Sequence, residues 1–145
     1  MRNRITVLII FLMLGSLACD TGPKSGRGFR LPDGDIERGK IAFAELKCNA
    51  CHTVEGVVMP IPAEVPQTMV KLGGEVYSTI TYGKLVTSII NPSHEFARGY
   101  SSDQIQSGGK SRMPDYGEVM TVRQMTDVVA FLQSHYKVVP PEPVY

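Results

Sequence analysis

The sequence predicts a mainly α-helical domain, and three observations carry that expectation. Residues 35–47 and 121–136 both place apolar side chains three and four positions apart, the period of a helix with one buried face. The third observation is the run Cys48-Asn49-Ala50-Cys51-His52, which follows directly on the first of these segments. With 145 residues, 43% of them hydrophobic, the chain is long enough for one domain with residues to spare at its ends. A formal net charge of +1 without a basic run gives no ground for a nucleic-acid partner, and three cysteines are too few for a disulfide framework.

Residues 1–18 have the build of an export signal. Arg2 and Arg4 precede an apolar run from Ile5 to Leu14, and small residues Gly15, Ser16 and Ala18 precede Cys19. Counted on to Ala18, the stretch is about 14 residues, short of the roughly 20 that span a bilayer. The boundary resembles a bacterial lipobox, with Ser16 where that box usually carries leucine, which makes Cys19 the expected lipidation site; ordinary signal-peptidase cleavage before Cys19 and an uncleaved anchor are the alternatives. Cleavage before Cys19 would remove Arg2 and Arg4, leaving 13 basic against 14 acidic residues and a formal charge of −1. Strong long-range steering toward a partner is therefore not expected.

Residues 19–32, rich in Gly, Pro and basic residues, read as a tether; the 13 residues from Asp20 to Pro32 reach about 20 Å. The domain is expected over 33–137. Its first helix, 35–47, is capped by Asp33 or Asp35, with Ile36, Gly39, Phe43 and Leu46 on one face. Gly39 costs about 1 kcal/mol relative to alanine inside a helix, which points to close packing. Residues 56–66 carry three prolines and form a loop. Over 67–81, β-branched and aromatic residues flank Gly73-Gly74, so a small β-hairpin insertion is expected there. A short helix over 84–90 stops at Asn91-Pro92. Residues 93–114 are mostly loop, with Ser101-Ser102-Asp103 opening a turn of helix. In the last helix Thr121 and Gln124 make a capping box, and Val122, Met125, Val129, Leu132 and Tyr136 form the stripe. Pro140, Pro141 and Pro143 mark residues 138–145 as an extended tail.

The C-x-x-C-H run carries the chemistry. Two thiols three positions apart can each form a thioether with one vinyl group of the same haem, and the next imidazole then falls under the iron as its proximal ligand. Cys48 and Cys51 are thus expected to bind one covalent haem c, and His52 its iron. A thioredoxin-like pair would follow a strand, whereas here a helix precedes it. A structural zinc site needs four ligands, and the other candidates are Cys19, His94 and His135, the two histidines lying 41 residues apart.

Over residues 32–137 the chain resembles class I cytochrome c in its bacterial monohaem form. The likeness rests on Gly39 and Phe43 ahead of Cys48-Asn49-Ala50-Cys51-His52, on Met113-Pro114, and on Ala130-Phe131-Leu132 in the last helix. It implies a cytochrome c fold whose N- and C-terminal helices cross beside the haem, with Gly39 at the crossing and Phe43 packed near Phe131 or Leu132. It also implies a proline carbonyl, from Pro60, Pro62 or Pro66, as acceptor for the second ring nitrogen of His52, since metal-bound imidazoles usually bond through it.

A sixth ligand must reach the opposite haem face. Met113 lies 61 residues beyond His52, a separation similar to that in class I members, and Pro114 stiffens its loop. Met59-Pro60 repeats the dipeptide only seven residues past His52, too near to circle the haem. Met69 reads as core or hairpin filler, and Met120 and Met125 sit at or in the last helix. His94 is the histidine alternative to Met113, and His135 reads as a surface residue at a helix C-terminus. Tyr82, Arg98, Tyr100 and Arg112 are candidates for the propionates.

With both axial positions filled, the expected function is electron transfer by cycling Fe(III)/Fe(II), without catalysis by the chain itself and without a small-molecule substrate. Expected partners are redox proteins (an oxidase, reductase or dehydrogenase) and the membrane, through lipidated Cys19 on the periplasmic side of the bacterial cell envelope. A haem c subunit of a larger oxidoreductase, or a haem-based gas sensor in which Met113 is displaced, are the alternatives.

Overall fold

The structure is a computed structural model that describes residues 29–60, 62–63 and 68–140. The expected export signal, Cys19 and most of the expected tether lie outside the described residues, as do Pro66 and residues 141–145. From Pro32 onward the chain forms one unit. Its elements run α1 (Ile36–Glu45), a 3₁₀ turn (Cys48–Ala50), β1 (His52–Val54), β2 (Val70–Leu72), β3 (Gly74–Val76), α2 (Tyr82–Ile90), α3 (Ser102–Ile105), β4 (Gln106–Ser107), β5 (Lys110–Ser111), α4 (Val122–Gln133) and β6 (Tyr136–Val138). No helix among them is long and apolar enough to cross a membrane.

The core lies where α1 crosses α4. Gly39, Ala42 and Phe43 of α1 are buried, against Val128, Val129, Phe131 and Leu132 of α4. A Cβ on Gly39 would fall on the Asp127 carbonyl oxygen and within 2.7 Å of Phe131 Cβ, so glycine lets the two backbones touch. Gly34 meets the carbonyl of Thr126, the residue before Asp127, in the same way. Phe43 and Phe131 pack edge to face with ring centroids 5.6 Å apart. That arrangement adds about 1 kcal/mol beyond the area the rings bury. Leu85, Val86 and Ile89 of α2 complete the core.

Capping follows the expected chemistry. Asp35, one of the two candidates, accepts the Arg38 N–H at 2.8 Å and starts α1. Thr121 and Gln124 form the capping box of α4, with the Gln124 side chain accepting from the Thr121 N–H at 3.0 Å. Thr81 caps α2, whose last residue is Ile90, ahead of Asn91-Pro92.

The stripe expected on the last helix needs correction in part. Val129 and Leu132 are buried as expected, but Val122 is 59% exposed, and the helix ends at Gln133, which puts Tyr136 in β6. The buried face also takes in Thr126, Asp127, Val128 and Phe131, an arc wide enough to meet both α1 and α2. Its polar members are satisfied. Thr126 Oγ donates to the Arg123 carbonyl at 2.8 Å. Asp127 accepts the Asp35 N–H at 2.7 Å and Arg38 Nε at 2.9 Å.

No hairpin spans Gly73-Gly74. β2 pairs in parallel with β1, and β3 pairs in parallel with β6, so the two strands expected to pair with each other use different partners. Both glycines have positive φ, 78° and 85°, where a Cβ is disfavoured. There the chain leaves β1 and joins β6, with the Gly74 N–H bonded to the His135 carbonyl at 2.8 Å. Pairing to strands far along the chain leaves no local pattern from which to read it. The small hairpin that does form is β4–β5, closed by Gly108-Gly109 with φ of 58° and 77°, as a two-residue type I′ turn requires.

β6 also ties residues read as tail into the fold, because the Val139 N–H bonds the Val76 carbonyl at 2.9 Å.

Candidate functional site

The end of α1 aims the C-x-x-C-H run. Leu46 caps the helix, and Lys47 turns left-handed with φ 58°, the one described residue other than glycine to do so. A left-handed residue just past the cap is a common helix stop. In a lysine it costs about 1 kcal/mol. The 3₁₀ turn Cys48–Ala50 follows at once, closed by Ala50 N–H to the Lys47 carbonyl and Cys51 N–H to the Cys48 carbonyl. Both thiols are therefore presented from a single turn. They are unpaired, Cys48 buried and Cys51 half-buried.

His52 opens β1, directly beside Val70 in the β1–β2 ladder. Its Nδ1 lies 3.2 Å from the Val70 carbonyl oxygen. With the proton on Nδ1, that nitrogen donates to Val70 and Nε2 keeps its lone pair for a metal. Burial also lowers the His52 pKa, which favours the neutral ring that ligation needs. The acceptor is thus the strand residue Val70 and not a proline of the following loop. Pro60 serves the neighbouring residue instead, its carbonyl accepting Asn49 Nδ2 at 2.8 Å. The sequence held no trace of this exchange, because it depends on β2 returning alongside β1.

Burial raises both thiols, Cys48 to about 11, so they stand protonated at neutral pH. Tyr116 lies against Cys48, and its phenol is pushed up to about 12 by burial and then by the nearby sulfur. The Tyr116 hydroxyl donates to the Leu46 carbonyl at 3.1 Å. Sequence reasoning missed this residue; its position three places after Met113 was the available hint.

Met113 is half-buried in the segment after β5, its N–H donating to Ser111 Oγ at 3.1 Å. His94 is exposed just beyond α2, beside a shallow surface pocket of about 200 Å³ shared with Lys84, Asn91 and Glu95. His135 departs from the expected surface role. It is half-buried, its ring edge-on to Phe131 at 4.8 Å and its Nδ1 2.8 Å from the Phe131 carbonyl. Among the propionate candidates, Tyr100 takes up the Lys71 N–H at 3.0 Å and Arg112 Nε donates to the Asp103 carbonyl at 3.0 Å.

The residues present fit a covalent haem. Two free thiols and a neutral imidazole with an available Nε2 are the donor set such a group uses. Among the described residues two buried side-chain oxygens lack a partner, Asn49 Oδ1 and the Tyr82 hydroxyl. Orphaned buried polar atoms are rare in a finished fold and are expected where a further group or a water completes it. Asn49 belongs to the C-x-x-C-H run itself, and Tyr82 is one of the propionate candidates.

A family model described as Cytochrome c matches residues 36–135. No curated protein and no solved structure matches the chain.

Proposed function

The chain belongs to the cytochrome c family, and on that premise we propose that it carries electrons through one haem held by Cys48 and Cys51, with His52 and Met113 as axial ligands. When bound, haem c supplies reversible one-electron exchange between Fe(III) and Fe(II). Cys48 and Cys51 anchor the group from one turn. His52 offers Nε2 because Nδ1–H is committed to the Val70 carbonyl, which also fixes the ring plane. That pairing is the observation on which the reading chiefly rests.

Met113 occupies the second axial position. Its half-buried place favours it over exposed His94. A methionine there raises the potential relative to two histidines, which suits a carrier feeding an oxidase or reductase. With no open position at the metal, a small-molecule substrate has no place to bind, and transfer is outer-sphere to a protein partner.

The basic start, apolar run and Cys19 support a carrier on the periplasmic side of a bacterial cell envelope, held by lipid on Cys19. Mass spectrometry of the mature N-terminus tests this; an unmodified Cys19 thiol would refute the anchor.

Spectroscopy of the purified holoprotein tests the ligand set. In Met113→Ala the weak absorption band at the red end of the visible spectrum is expected to vanish, and the reduced protein to bind CO rapidly. Survival of the band would assign the sixth position to another residue.

A further inference from the structure

The segment that carries Met113 is tied at both ends. Upstream, the Met113 N–H donates to Ser111 Oγ, and the Ser111 N–H donates to Ser93 Oγ at 3.0 Å. Downstream, the Tyr116 hydroxyl donates to the Leu46 carbonyl. Leu46 caps α1, so its carbonyl is among those a helix end leaves without an internal donor.

The other hydrogen bonds of residues 113–120, among the described residues, are local. The Gly117 N–H reaches Asp115 Oδ1, and the Val119 and Met120 N–H groups reach the Tyr116 carbonyl. Tyr116 thus makes the one hydrogen bond between this segment and the end of α1, two residues ahead of Cys48.

We infer that Tyr116 is a positioning residue for the sixth ligand: its hydroxyl latches the Met113 segment to the turn that carries Cys48 and His52, and so sets how often Met113 leaves the iron. The inference rests on Met113 being that ligand. When the segment swings out, water can serve both the Leu46 carbonyl and the phenol. When it is closed, only Tyr116 serves the carbonyl. Removing the hydroxyl therefore destabilises the closed arrangement selectively, while a phenylalanine ring keeps the apolar contacts. One net hydrogen bond corresponds to a shift of about three- to tenfold in the open fraction.

The test compares CO binding to the reduced holoprotein, and the red-end band of the oxidised one, in the native protein, Tyr116→Phe, Met113→Ala and Ser134→Ala. Ser134 is the control, because its hydroxyl also donates to a helix-end carbonyl, that of Phe131 at 2.7 Å, away from the Met113 segment. Tyr116→Phe is expected to keep the band at neutral pH and to bind CO about three- to tenfold faster than the native protein. Ser134→Ala is expected to match the native rate.

Native CO kinetics in Tyr116→Phe, with rapid binding in Met113→Ala, would overturn the latch and leave the ligand standing. A band that persists in Met113→Ala would overturn the ligand itself. Equal acceleration in Ser134→Ala, or loss of the fold in Tyr116→Phe, would also overturn the latch, since the hydroxyl would then serve general stability.

Discussion

Alanine at position 39 is expected to cost the protein a large share of its stability. The added Cβ would land on the Asp127 carbonyl oxygen and within 2.7 Å of Phe131 Cβ, and neither is a flexible side-chain tip that could swing away. Alanine would gain about 1 kcal/mol in helix propensity over glycine. Relieving a backbone collision requires α1 and α4 to separate, which opens the contact between Phe43 and Phe131 and loosens Val128 and Val129. Overpacking alone costs about 1–3 kcal/mol, and a loosened aromatic core adds to it. A net loss of about 3 kcal/mol or more is therefore expected, against about 5–15 kcal/mol of total stability for a domain. Denaturant unfolding of Gly39→Ala measures it; a midpoint equal to that of the native protein would mean that the helices do not cross in contact here.

The second large effect belongs to Asp127. Its side chain is only 5% exposed and accepts three hydrogen bonds where the helices cross. It accepts the Asp35 N–H at 2.7 Å, Arg38 Nε at 2.9 Å and Arg38 Nη2 at 3.1 Å. The carboxylate thus holds the residue that caps α1 and the first turn behind it. Asp127→Ala would leave the Asp35 N–H without its acceptor and Arg38 without its buried partner. Arg38 is 54% exposed and returns to water, so the cost falls on the orphaned Asp35 N–H, and a loss of about 1–3 kcal/mol is expected at pH 7.

The pH dependence separates charge from packing. The hydrogen bond from Arg38, and then that from the Asp35 N–H, hold the Asp127 carboxyl below its ordinary range. A carboxyl whose folded pKa is depressed contributes stability above its unfolded value, about 3.9, and that contribution is lost as pH falls through the folded value. The native protein should therefore lose stability below about pH 4 more steeply than Asp127→Asn. The gap between their urea midpoints, wide at pH 7, should narrow at acid pH. A gap that stayed constant would show that shape, and not charge, carries the contribution.

Most features set by near neighbours in sequence were legible, the end of the last helix excepted. The C-x-x-C-H run depends on five adjacent residues, and the structure presents both thiols from one turn at the end of α1. Asp35, Thr121, Gln124 and Pro92 act within three or four residues of themselves, so caps and stops followed from spacing. Gly39 and Phe43 were placed through resemblance to a family and meet their expected neighbours in α4.

What failed depended on partners distant in sequence. Residues 70–76 have strand-forming composition, which reveals that they extend but not whether they pair with each other, with His52 or with Tyr136. Pairing with β1 decides the acceptor for the His52 ring, and pairing with β6 brings His135 out of its expected surface role. Asp127 lies outside the stripe read from the sequence, and it is buried because Arg38 and the Asp35 N–H, both distant in sequence, satisfy it. Tyr116 has a function only because α1 ends beside it. The amino-acid order by itself determined the haem motif, the helix N-caps and the mainly α class, since each rests on short-range geometry. Only the tertiary structure decided which carbonyl steadies His52 and which hydroxyl holds the Met113 segment, because a backbone carbonyl is the same in every residue and is distinguished solely by what folds against it.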